Sequence, residues 1–279
     1  MQILAPAKLN LCLFVGPSRD DGLHSLCSLF EPLSLVDSIE VAEADADEVV
    51  CPGVEGEDLA ARALAALRDR AWEHPPLRVE IEKRIPIAAG LGGGSADAAA
   101  ILRLAADEVE GLQELAAAIG ADVPSQLTPA LALVRGAGER VERLPDPASH
   151  AVVLLPGGGG LSTAEVFAEA DRLDIGRPAH ELDELAARLR DVASAGASPL
   201  DYADLLANDL EPAARALRPE IGDALDALRA AGAPLTLLTG SGPTAFGLFM
   251  DLAAAERAAG RLDRDDAIVC EAGRAPDGL

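Results

Sequence analysis

Residues 90–94 read Gly-Leu-Gly-Gly-Gly and lie between an alternating apolar stretch and a run rich in alanine and leucine. A strand, a glycine turn and a helix start can together bind an anion. Glycine lets the backbone approach closely, and the first-turn N–H groups and the helix dipole favour negative charge. The loop is not a Walker A motif, because no Gly-Lys-Ser/Thr follows, and Ser95 stands where the third glycine of a dinucleotide fingerprint belongs. The chain has only two lysines, Lys8 and Lys83, while arginine supplies its other cations. A lysine is a compact point charge suited to a phosphate or a carboxylate. Phosphoryl transfer needs charge neutralisation and a base for the attacking hydroxyl. Asp122, in Gly120-Ala121-Asp122-Val123-Pro124, is a candidate base, but a turn-forming aspartate would read the same way, and spacing leaves both open.

The elements that must position these groups follow from periodicity. Leu9, Leu11, Leu13 and Val15 alternate with Lys8 and Asn10, which predicts a strand with the four apolar residues on one face and the polar pair on the other. A turn is expected over 16–22, a strand over 38–41 and a helix over 58–72. Leu77, Val79 and Ile81 alternate with Arg78, Glu80 and Glu82, a half-buried strand leading into the glycine loop. Ser95 would cap a helix running to about residue 110, with Asp97 in its first turn, and a short helix over 113–119 would stop at Gly120. The punctuated run 144–149 places a domain boundary, dividing the chain into 1–147 and 148–279. Beyond it, a strand is expected over 151–155 and helices over 179–193, 201–217 and 219–231. Strands over 235–238 and 244–250 would flank Gly240-Ser241-Gly242-Pro243, and a last helix would cover 253–261. Mixed elements without strict βαβ alternation predict an α+β fold.

Bulk properties exclude several functions. The 279 residues carry 47 acidic and 23 basic side chains, a formal charge of −24. Such a surface repels nucleic acid and anionic membranes, so neither is expected as a partner. An anionic substrate would need a local basic site that overrides this field. Cys12, Cys27, Cys51 and Cys270 show no metal or disulfide spacing. No signal peptide or membrane span is evident, which predicts a cytoplasmic protein.

Residues 86–99, Pro-Ile-Ala-Ala-Gly-Leu-Gly-Gly-Gly-Ser-Ala-Asp-Ala-Ala, resemble the ATP loop of the GHMP kinase superfamily. Ala5-Pro6-Ala7-Lys8-Leu9-Asn10-Leu11, Asp21-Gly22-Leu23-His24 and Gly120-Ala121-Asp122-Val123-Pro124 are similar to the branch that phosphorylates a cytidine diphosphate-linked methylerythritol. Thr239-Gly240-Ser241-Gly242-Pro243-Thr244 and Asn208-Asp209-Leu210-Glu211 fit the same family. The set occurs in order over nearly the whole chain.

The resemblance implies a two-domain fold, with an N-terminal half like ribosomal protein S5 domain 2 and a ferredoxin-like C-terminal α/β sandwich. ATP and Mg²⁺ would be the cofactors. Pro86, Ile87, Ala88, Ala89, Gly90, Leu91, Gly92, Gly93, Gly94, Ser95 and Ala96 would wrap the ATP phosphates, with Ser95 also a metal contact. Asp122 would be the general base, and Lys8 would keep it charged and orient the hydroxyl. Asn10, His24 and Phe167 would bind the substrate, His24 through the cytosine edge and Phe167 against the base. Gly240, Ser241 and Gly242 would line the site from the second domain, in a monomer or homodimer.

Four positions depart from the family pattern. Leu23 replaces a tyrosine that stacks on cytosine, Ala96 a second serine, Asp58-Leu59 an Asn-Leu, and Ser125 an aromatic residue. These motivate two alternatives: a kinase for another small alcohol such as homoserine or mevalonate, or a nucleotide-binding relative that has lost catalysis.

Overall fold

The computed structural model describes residues 1–54, 58–276 and 278. Two long strands open the chain. β1 (Gln2–Ser18) and β2 (His24–Glu43) run antiparallel along nearly their whole lengths. Their turn is fixed locally, Asp21 Oδ1 accepting from the Leu23 N–H at 3.0 Å. β3 (Glu48–Val50), α1 (Leu59–Asp69) and β4 (Leu77–Glu82) follow. Asp58 caps α1 by accepting from the Ala60 N–H at 2.8 Å. Next come α2 (Gly93–Arg103), α3 (Leu112–Ile119), α4 (Val123–Gln126) and the hairpin β5 (Ala132–Gly136) and β6 (Arg140–Arg143). The remainder contains β7 (His150–Leu155), α5 (Thr163–Arg172), α6 (Ala179–Ala193), a 3-10 turn (Pro199–Leu205), α7 (Glu211–Leu217), α8 (Glu220–Ala230), β8 (Leu235–Leu238), β9 (Ala245–Phe249), α9 (Leu252–Ala259) and β10 (Ile268–Ala272).

β2 organises the first half. One edge pairs with β1; the other pairs with β5 over Leu26–Phe30 and with β4 over Ser38–Glu43. The second half builds an antiparallel sheet in the order β10-β7-β9-β8. The two ladders meet at a single pair, Leu33 with Ala272. The fully buried alanines 96 and 98–100 let α2 lie close to α1 and β1. Between the halves lies one shared core, in which Leu9, Leu11, Leu29 and Leu33 meet Val152, Leu154, Leu189 and Phe246.

Three expectations are corrected. The alternation in β1 does not persist: the register shifts between Asn10 and Cys12, so the side chains beyond it change face. Leu9 and Leu11 join the core between the halves with Cys12 and Phe14, whereas Leu13 and Val15 pack with Ala151, Val153 and α8. A bulge of this kind is invisible to a period-two pattern. The helix after the glycine loop begins at Gly93 and ends at Arg103. Gly92, with φ +69°, occupies the cap position expected for Ser95, and Asp97 lies beyond the first turn, buried against Lys83. The helix expected over 201–217 is instead a 3-10 turn and α7, because the Asn208 side chain binds backbone elsewhere and Pro212 starts a new helix.

A buried pair joins the halves where the chain passes from one to the other. His150 Nε2 lies 3.0 Å from Glu31 Oε2, and Nδ1 lies 2.9 Å from the Ala148 carbonyl. Burial by itself lowers the pKa of His150, but the Glu31 charge, its hydrogen bond and the Ala148 carbonyl raise it above the ordinary histidine value. A histidine raised on folding contributes stability that is complete below its unfolded pKa and is lost as pH rises through the folded value. The melting temperature should therefore fall from pH 6 to pH 9, and Glu31→Gln should flatten that fall. Equal slopes in differential scanning fluorimetry would remove the pair as its cause.

Candidate active site

Lys8 is the central group. It lies on β1 and is only 5% exposed. Its Nζ donates to Asn10 Oδ1, lies 3.3 Å from Asp122 Oδ2 and sits 4.7 Å from the centroid of the Phe30 ring. A buried ammonium is costly unless paired and hydrogen-bonded, and these three contacts provide that. Asp122 occupies the cap position of α4, yet its carboxylate makes no capping bond. The side chain stays one-third exposed and faces the cavity. It stands beside Lys8 and not in a turn bond.

The glycine loop lies directly over this pair. The Lys8 N–H donates to the Leu91 carbonyl at 2.9 Å. Gly92 has φ +69°, and a Cβ there would come within 2.7 Å of Lys8 Cγ. Gly90 has φ +78°, and a Cβ there would meet the carbonyl oxygens of Thr239 at 2.8 Å and Gly242 at 2.9 Å. Both positions therefore require glycine for conformation and for space. The first-turn N–H groups of α2, at Gly93, Gly94 and Ser95, have no intrahelical acceptor, an arrangement able to receive an anion. Within 86–96, Gly90, Gly92 and Ser95 line the cavity. The side chains of Ala89, Leu91 and Ala96 are buried, so any contact they make with a ligand is through backbone.

A second lysine supports the loop from behind. Lys83 donates to Asp37 and, at 2.6 Å, to Asp97 Oδ2 on α2. Asp37 also accepts from the Arg84 and Ile85 N–H groups at 2.6 and 2.8 Å, fixing the strand exit that leads into residues 86–92. Burial pushes the Asp97 carboxyl above the ordinary aspartate range, against the opposing pull of Lys83.

The second half supplies the opposite wall. The Asn10 N–H donates to Thr239 Oγ1 at 2.9 Å, and Asn10 Nδ2 donates to Ser28 Oγ at 3.0 Å. Asn208 Nδ2 donates to the carbonyls of Leu238 and Gly240 at 2.7 and 2.8 Å, while its Oδ1 accepts from the Leu210 N–H at 2.9 Å. Asn208 thus fixes the 239–242 turn without reaching the cavity itself. Gly240 and Ser241 line the cavity, and Ser241 Oγ lies 2.9 Å from Thr163 Oγ1; Gly242 is not on the wall.

The cavity holds about 810 Å³. Beyond Lys8 and Asp122 it reaches His24 and Phe167, whose rings stack at 5.2 Å with an interplanar angle of 26°. His24 Nδ1 lies 3.1 Å from the Gly16 carbonyl and Nε2 lies 3.2 Å from Asp171 Oδ1. Leu23 stands at the same end, 53% exposed. Phe30, Ser28, Thr163 and Asp171 had no signal in the sequence. Each is an ordinary strand or helix residue, brought to the site only by long-range pairing. No cluster of three or more metal-ligating side chains occurs among the described residues.

Asn208→Ala should leave the Leu238 and Gly240 carbonyls without a protein donor, at a cost on the order of 1–3 kcal/mol. A lowered melting temperature with a raised KM is expected. Unchanged thermal unfolding and kinetics would show that the turn holds without Asn208.

Comparison with known proteins identifies the family. Residues 58–128 match the GHMP kinases N terminal domain and residues 176–267 match GHMP kinases C terminal. A 4-diphosphocytidyl-2-C-methyl-D-erythritol kinase from Thermobifida fusca is 41% identical, covering 92% of each chain. One from Streptomyces coelicolor is 40% identical over 93% of this chain and 91% of its own. The crystal structure of a 4-(cytidine 5'-diphospho)-2C-methyl-D-erythritol kinase superposes with a TM-score of 0.81 at 36% identity, covering 99% of this chain and all of the other. A homoserine kinase from Cytophaga hutchinsonii shares the fold, with a TM-score of 0.70 at 18% identity over 99% of this chain and 94% of its own. With its two-domain fold, its glycine loop and this full-length similarity, the chain belongs to the 4-diphosphocytidyl-2-C-methyl-D-erythritol kinase family of ATP-dependent GHMP kinases.

Proposed function

We propose that this chain moves the γ-phosphoryl group of ATP onto the 2-hydroxyl of 4-diphosphocytidyl-2-C-methyl-D-erythritol, in the non-mevalonate route to isoprenoid precursors. The observation that carries this reading is one cavity with the glycine loop and the start of α2 at one end, a stacked aromatic pair at the other, and Lys8 beside Asp122 between them. That order matches a substrate whose reacting hydroxyl must meet the γ-phosphate while its nucleobase sits some distance away.

In this mechanism Asp122 accepts the hydroxyl proton as the oxygen attacks phosphorus. The bond from the γ-phosphorus to the β,γ-bridging oxygen breaks, and ADP leaves with the electron pair. Lys8 holds Asp122 and the substrate oxygen in line, and Asn10 fixes Lys8 from the same strand. Positioning of this kind, with charge neutralisation, is most of what phosphoryl transfer asks of a protein. The N–H groups of 93–95 receive phosphate oxygens. Mg²⁺ would neutralise the phosphates when bound. With no closed cage of acidic side chains among the described residues, a metal held chiefly by phosphate and water, with Ser95 as the protein contact, fits the residues present. Phe167 and His24 form the platform for cytosine. An edge contact from His24 Nε2 would take the place of its contact with Asp171.

Residues 1–147 act as the ATP-binding and catalytic half, and 148–279 close the cavity. Cys12, Cys27 and Cys270 are buried free thiols, and no helix among the described residues is long and apolar enough to cross a membrane. Both suit a cytoplasmic enzyme acting on a small molecule.

ADP release should depend on the cytidine-linked substrate and be absent with homoserine or mevalonate. Asp122→Asn should cut kcat by roughly 10²–10⁴, the usual worth of a positioned base, without unfolding the protein. Turnover with another alcohol alone would discard the substrate, and near-normal turnover of Asp122→Asn would discard the base.

A further inference from the structure

A second cavity, of about 780 Å³, shares no lining residue with the catalytic one. Its size falls within the roughly 300–1,000 Å³ typical of small-molecule sites. Ile3, Val41, Leu77, Leu104 and Leu127 make its walls apolar. Trp72, 5% exposed, forms part of the lining and stacks on His74 at 4.8 Å.

Two cations lie on this apolar surface: the N-terminal ammonium of Met1, which donates to the Val41 carbonyl at 2.6 Å, and the guanidinium of Arg103. Arg103, in the last turn of α2, donates through Nη1 to the Gln126 carbonyl at 2.9 Å and through Nη2 to the Leu4 carbonyl at 2.7 Å. A guanidinium carries five N–H donors in a planar fork. Among the described residues its other three have no acceptor, and no carboxylate lies within ion-pairing distance. Most other arginines in this acidic chain are paired: Arg68 with Asp47, Arg177 with Asp209 and Arg190 with Glu142. Burial without such a partner lowers the Arg103 pKa to about 10. The carboxylate on the cavity's edge, Glu43, is exposed.

We infer that this cavity is a second ligand site, which takes a small apolar carboxylate with its hydrocarbon part against Ile3, Val41, Leu77 and Leu104 and its carboxylate on the free N–H groups of Arg103. Charge complementarity selects the anion. The fork geometry favours a planar carboxylate, which it can bind through two parallel bonds. The ligand sits at the far end of α2 from the glycine loop, so it does not compete with either substrate.

Trp72 is the only tryptophan in the chain and reports on the cavity directly. The full-length protein would be titrated with decanoate, decanol, decylamine and decyl phosphate, following tryptophan emission, with and without saturating ATP and the cytidine-linked substrate. Decanoate should give a saturable change at least tenfold tighter than decanol. Decylamine should give none, and ATP and substrate should leave the decanoate affinity unchanged. Arg103→Gln should remove the preference for decanoate over decanol. Ala106→Phe, at the exposed edge, should weaken both while leaving kinase turnover unchanged. If Arg103→Gln does not fold by circular dichroism, the wild-type ligand series and Ala106→Phe decide. Equal binding of decanol and decanoate, displacement by ATP or substrate, or no saturable response would overturn the site. Tighter binding of decyl phosphate than of decanoate would overturn the carboxylate.

Discussion

A cation almost removed from water governs the arrangement of this molecule. Lys8 lies within a strand that is buried on both faces, in a chain with twice as many acids as bases. Its ammonium needs oxygen and π partners, and these come from four separate segments: Asn10 beside it, Phe30 on the neighbouring strand, Asp122 before α4 and, through Asn10, Thr239 in the second half. Removing one partner of such a group costs far more than the contact is worth in water. The same set of contacts that makes the lysine tolerable therefore fixes where Asp122, the glycine loop and the 239–242 turn stand relative to one another.

The two lysines divide the work. Lys8 points into the cavity, while Lys83 is enclosed with Asp37 and Asp97 behind the glycine loop. The second cluster holds two carboxylates against one ammonium, and Asp97 Oδ1 is buried without a partner. Burial is the main cause of the upward push on the Asp97 carboxyl, and the Asp37 charge adds to it against the pull of Lys83. The cluster also places negative charge behind the glycine loop, so the positive potential on the loop's cavity side comes from its own N–H groups and from Lys8.

Much of the candidate site was legible because the residues that line it cluster locally in the sequence. The glycine run, the Lys8–Asn10 spacing, the Asp122 break and the 239–244 turn each lie within a few consecutive residues, and the half-buried strand at 77–82 follows its alternation faithfully. What escaped depends on distant pairing. The shift of register after Asn10 turns Leu13 and Val15 to the opposite side, and no property of those residues announces it. Asn208 interrupts a helical-looking stretch because its amide is used by carbonyls thirty residues away. β2, twenty residues long, was seen only as the short piece at 38–41, since its ends are shaped by four different partners rather than by one face of a core.

The lone bridge between Leu33 and Ala272 leaves the two sheets without a continuous ladder. Their alignment is set instead by the shared core and by the loops at the cavity, where Gly90 touches the Thr239 turn. A molecule seated between those loops contacts both halves and becomes an additional crosslink between them. Occupancy and inter-domain rigidity are then two views of one equilibrium: the ligand gains affinity from a preset cleft, and the cleft gains definition from the ligand.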